Sequence, residues 1–93
     1  MIRYTLKQLA YFAAAAERGN VTEAARALNV SQPSISTAVA HLERVMRAQL
    51  FLRHHARGLS LTPDGRHLLA QARELLAQAE ELGSSLRSEG ARL

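Results

Sequence analysis

Between Val30 and Ser36 the chain reads V-S-Q-P-S-I-S, a run of short polar side chains broken by one large apolar residue, Ile35. The Gln32 amide both donates and accepts hydrogen bonds, and the hydroxyls of Ser34, Ser36 and Thr37 do either. No nucleophile motif, glycine-rich phosphate loop or metal-ligand spacing accompanies them. The chemistry on offer is therefore recognition by hydrogen bonding. Pro33 suits the first turn of a helix, where the amide it lacks would have no partner, and Ser31 is placed to cap that helix. Advancing about 100° per residue from Ile35, the side chains of Val39, Leu42 and Met46 fall within about 40° of it and define a core stripe. The opposite side collects Pro33, Thr37, Ala40 and Arg44, flanked by Ser34, Ser36 and His41. Most surface helices are polar outside. Here the outward groups are also small, which lets a helix start descend into the major groove of duplex DNA.

Other elements must hold that helix rigidly. Leu6, Leu9, Ala10, Ala13 and Ala16 recur at helical spacing, Tyr11 and Phe12 add bulk, and Gly19 stops a first helix over about residues 5–18. Asn20 is a good N-cap for a second helix, with Glu23 completing a variant of the capping box and Ala24, Ala25 and Leu28 facing inward. Asn29 and Val30 form the turn into the polar helix. Further on, Leu50-Phe51-Leu52 and Leu59-Ser60-Leu61 flank the basic stretch Arg53-His54-His55-Ala56-Arg57-Gly58, which predicts a two-stranded hairpin wing. Thr62-Pro63-Asp64 opens a long helix, expected to run to about Leu86. Along it Leu68, Ala72, Leu75, Ala79, Leu82 and Leu86 alternate four and three apart, beside a second line of Leu69 and Leu76. One line can pack on the domain itself and the other is left for a partner, so a homodimer through this helix is expected, with Leu68, Ala72, Leu75, Leu76, Ala79, Leu82 and Leu86 as its candidate residues. The alternative is a single broad stripe buried within one chain.

Charge separates the same regions. Residues 1–66 hold nine basic and four acidic groups, whereas residues 67–93 hold three and four. Eleven of the twelve basic residues are arginine, suited to bidentate contact with phosphate or guanine, although a GC-rich genome would raise arginine usage too. Arg26, Arg44, Arg47, Arg53, Arg57 and Arg66 are the candidates for phosphate attraction. Cysteine is absent, which excludes a disulfide framework and a thiolate zinc site. No run of about 18 apolar residues exists, so no transmembrane helix is expected. Met1 to Thr5 lacks the layout of a secretory signal, and a cytoplasmic setting fits.

Taken in order, Leu6-x-x-Leu9-x-x-Phe12, Thr22-x-Ala24-Ala25-x-x-Leu28, Val30 to Ser36, Leu42-Glu43, Gln49-Leu50-Phe51, Arg53 and Leu61-Thr62-Pro63-x-Gly65 resemble the DNA-binding domain of the LysR-type transcriptional regulators. The resemblance spans roughly residues 4–88. It implies a mainly α fold: a winged helix-turn-helix with a three-helix core and two-stranded wing over residues 1–62, then a linker and dimerisation helix over 63–88. Residues 89–93 would be a frayed tail leading toward a separate effector-binding domain, the chain being either a fragment of a longer regulator, which is the favoured expectation, or a stand-alone module. Gln32, Pro33, Ser34, Ser36 and Thr37 match the base-facing positions. Thr22 and Ser31 match backbone-anchoring positions, and Arg53 and Arg57 match wing positions beside the His54-His55 pair. Thr37 stands where many relatives carry arginine or lysine.

The expected partners are double-stranded DNA, bound at an interrupted palindrome, and a second copy of the chain, with higher oligomers open to a full-length protein. A small-molecule effector would need a further C-terminal domain. No cofactor or metal is expected: His41, His54, His55 and His67 show no ligand spacing. Catalysis is not expected. A helical adaptor that oligomerises without DNA is the competing reading, and the basic wing argues against it.

Overall fold

The computed structural model describes residues 1–56 and 58–92, with the backbone alone for 88–92. Arg57, expected at the wing tip, lies outside the described residues. The order is α1 (Leu6–Arg18), α2 (Val21–Leu28), α3 (Gln32–Met46), β1 (Phe51–His54), β2 (Gly58–Leu61) and α4 (Pro63–Arg92).

Each helix boundary has a local chemical cause. Thr5 and Gln8 form a reciprocal capping box at the start of α1, with Gln8 N–H donating to Thr5 Oγ1 at 3.0 Å and Thr5 N–H to Gln8 Oε1 at 2.9 Å. Gly19 closes the helix in the left-handed region at φ 64°, donating to the Ala15 carbonyl. Asn20 Oδ1 accepts from Glu23 N–H at 3.0 Å, as its type predicts. The Glu23 carboxylate does not close the expected box; it accepts from Arg26 Nη1 at 3.2 Å instead. Asn29 ends α2 at φ 56°, and Val30 N–H donates to the Ala25 carbonyl at 3.0 Å, so the chain reverses within two residues before Ser31 caps α3.

The core lies where α1, α2 and α3 meet β1 and the first turns of α4. Phe12 is fully enclosed at its centre, its ring 5.4 Å from that of Phe51. Leu9, Ile35, Leu42 and Leu50 surround the pair. Two sequence assignments shift. Leu6 and Leu28, expected inside, are 46% and 39% exposed, while Ala15 and Ala38 are buried. Close helix approach favours the small residues, and the leucines fall at the rim.

The hairpin is antiparallel, pairing Phe51 with Leu61, Leu52 with Ser60, Arg53 with Leu59 and His54 with Gly58. Pleat alternation puts Phe51 inside and leaves Leu52 exposed, although both belong to one apolar run. The wing is tied to the α1–α2 turn, where Leu59 N–H donates to the Gly19 carbonyl at 2.8 Å. Gly58 is required there: its φ is +82°, and a Cβ would lie 2.1 Å from the Gly19 oxygen.

Helix α4 continues to Arg92, past the expected end near Leu86 and through the region read as a frayed tail. At 1.5 Å per residue its 30 residues span about 45 Å. Its first half packs on α1 and β2, fastened by an Arg73–Glu17 ion pair at 3.2 Å. The two apolar lines also divide differently from the sequence pattern. Leu69, Ala72 and Leu76 face the domain's own core, whereas Leu75, Leu82 and Leu86 are 41%, 65% and 66% exposed. Leu68, Ala72 and Leu76, all expected on the dimer surface, pack against the chain's own core instead. A straight helix drifts relative to a seven-residue repeat, so neither line remains on one side throughout. Among the described residues, no helix is long and apolar enough to cross a membrane.

Candidate nucleic-acid interface

The start of α3 forms an exposed ridge. Gln32, Pro33 and Thr37 are exposed, Ser34 and Ser36 are half-buried, and Ile35 between them is fully enclosed, so the turn is anchored from below. Ser31 accepts from Ser34 N–H at 3.3 Å, and the two hydroxyls lie 2.8 Å apart. Their side chains thus rigidify the first turn as well as facing outward.

On one flank the ridge borders a hollow formed with the wing and the α2 start. Thr22, Gln32, Arg53, His54 and His55, picked out separately in the sequence, line it together with Asn20 and Gly58. His54 Nε2 lies 2.6 Å from Ser60 Oγ across the hairpin, which fixes its ring on the outer sheet face. Arg53 belongs to the opposite face with Leu59, so the two side chains diverge from adjacent positions.

On the other flank, Lys7, Gln8 and Tyr11 of α1 form a second hollow with Pro33, Ser34 and Thr37. Sequence reasoning did not place Lys7 at the interface, and it read Tyr11 only as bulk for packing; Tyr11 is half-buried against the core and also lines this hollow. Arg44 sits further along α3, its Nη2 3.4 Å from His41 Nδ1, while His41 Nε2 meets the Arg3 carbonyl at 2.6 Å. The N-terminal segment is thereby held against α3.

Electrostatics separate these flanks from the rest. Among the described residues no carboxylate lines either hollow, whereas other surface depressions include Glu43, Asp64 or Glu74. Arg26 is paired with Glu23, which lowers its standing as a phosphate contact. Arg66 donates to the Leu61 carbonyl at 3.3 Å at the foot of the wing. Lys7, Arg44 and Arg53 have no ion-pair partner among the described residues. Among the described residues no three His, Asp or Glu side chains converge as a metal site.

Two tightly joined helices, a third beneath them and a docked hairpin define a winged helix-turn-helix domain. The chain belongs to the lysR family of bacterial regulatory helix-turn-helix proteins, whose profile matches residues 6–66. It is 49% identical over 66 residues to the HTH-type transcriptional regulator TfdS of Cupriavidus pinatubonensis, covering 71% of this chain and 22% of that protein. To ClcR of Pseudomonas putida, also an HTH-type transcriptional regulator, it is 46% identical over 66 residues, again 71% and 22% of the two chains. It therefore spans about a fifth of the length of these relatives. Among solved structures, the CbnR_DBD–DNA complex is similar at 40% identity and TM-score 0.85, with 92% of this chain and 98% of that one covered. The BenM_DBD/catB site 1 DNA complex is similar at 30% identity and TM-score 0.87, covering 92% and 96%.

Proposed function

We propose that the chain is the DNA-binding part of a LysR-type transcriptional regulator, reading duplex DNA with the first turn of α3. The observation that carries this is the polar ridge from Gln32 to Thr37, raised between two carboxylate-free hollows on a rigid three-helix base. A helix of about 10–12 Å diameter fits a major groove about 12 Å wide. Gln32 is the principal base reader, since a side-chain amide can bond adenine through both its groups, and Pro33, Ser34, Ser36 and Thr37 shape the contact around it. Thr22, Ser31, Arg44, Arg53, His54 and His55 serve the phosphates and the wing contact. Non-catalytic regulation in the cytoplasm follows from this reading. So does assembly as a homodimer on two half-sites: Leu75, Leu82 and Leu86 supply an apolar strip that the chain itself leaves exposed.

Replacing Gln32 with alanine is expected to cost about 1–3 kcal/mol on the preferred site and to relax base preference there. Selection of bound sequences from a random duplex pool, followed by titration of the variant, measures both. An equal loss on selected and random duplex would remove the base-reading role. Failure of the unaltered chain to bind any duplex at low salt would instead favour the adaptor reading.

A further inference from the structure

We propose that Lys7 on α1 holds the DNA backbone on the side of α3 away from the wing. This rests on the reading of α3 as the groove-entering helix. A helix filling the major groove has a phosphate strand on each side of it, so both flanks of α3 must meet negative charge. The wing-side hollow meets it with Arg53, His54 and His55. Among the described residues the opposite hollow holds one cation, Lys7, facing Pro33, Ser34 and Thr37.

Three features suit Lys7 to a phosphate. It is exposed and unpaired among the described residues, so no internal ion pair must break on binding. Among the described residues no carboxylate lines its hollow, so nothing there competes with a phosphate for the ammonium. Its flexible stem carries a compact charge, which suits a backbone oxygen better than the planar reading of a base edge. Thr37 is short, which leaves the space between α1 and α3 open to the lysine.

The test is a salt titration of the whole chain, Lys7→Gln and Lys7→Arg on the selected duplex and on a random duplex, with helicity compared by circular dichroism. Lys7→Gln should weaken both duplexes by a similar several-fold factor, and the slope of log affinity against log salt should fall by about one per bound chain. Lys7→Arg should retain the slope. If the unaltered chain binds duplex and Lys7→Gln keeps its salt slope, the assignment is overturned while the reading of α3 stands. A slope reduced equally by Lys7→Arg would also overturn it, because the charge would then not be the cause. If the unaltered chain binds no duplex, the reading of α3 fails first and this assignment falls with it.

Discussion

A chain carrying glutamate at both Leu75 and Leu82 is expected to be a folded monomer whose affinity for a two-half-site operator is about 10²–10⁴-fold lower. The two leucines are seven residues apart on α4, with Leu86 extending the same strip, and all three are substantially exposed. In a single chain either glutamate would be hydrated, so the fold should tolerate the change. Across a dimer seam the same carboxylates would be desolvated and would oppose their own copies, and the interface should not form. Operator affinity then loses the advantage of a tethered second domain, while contact with one half-site is unaffected. Sedimentation would report the assembly state, and titrations on single and paired half-sites would separate the two effects. A double variant that remains dimeric, or that binds paired half-sites as tightly as before, would rule this strip out as the seam.

The second large effect concerns the base on which the ridge stands. Phe12→Ala should destabilise the domain by about 3–5 kcal/mol, the usual cost of truncating an enclosed phenylalanine. Domains of this kind are held by only about 5–15 kcal/mol, so much of the margin would go. Phe12 is completely enclosed and meets Phe51 at 5.4 Å, which links α1 to the first strand of the wing. The loss should therefore reach the wing as well as the helices. Denaturant unfolding at fixed protein concentration measures it, since association would otherwise shift the apparent stability. A change below about 1 kcal/mol would mean that the site collapses around the cavity and that Phe12 is not the hub of the core.

Much of the design is legible in one dimension. Caps and breakers act through bonds a few residues long, so Asn20, Ser31, Pro33 and Gly19 mark helix ends without reference to the rest of the chain. The α3 stripe is equally local, because rotation per residue alone separates Ile35, Val39 and Leu42 from Pro33, Thr37 and Arg44. The basic hairpin follows from its turn-like centre and flanking apolar runs. In the proposed site, the ridge from Gln32 to Thr37 is a continuous stretch of chain, and for that reason it can be read directly.

Packing decided what periodicity left open. On α1, spacing nominated Leu6 together with Leu9, yet the approach of α3 enclosed Leu9, Phe12 and Ala15 and left Leu6 at the rim. On α4 two apolar lines were equivalent as patterns; docking on α1 chose Leu69, Ala72 and Leu76 and left Leu75, Leu82 and Leu86 uncovered. The flanks of the ridge depend entirely on tertiary structure, since Thr22, Gln32 and Arg53 come from three elements and Lys7 from a fourth. Hydrogen-bonded caps and helical rotation are short-range, and so the amino-acid sequence by itself determined the elements and the outward face of α3. Which charges stand beside that face is a matter of distances between residues far apart in the chain, and only the packed core sets those.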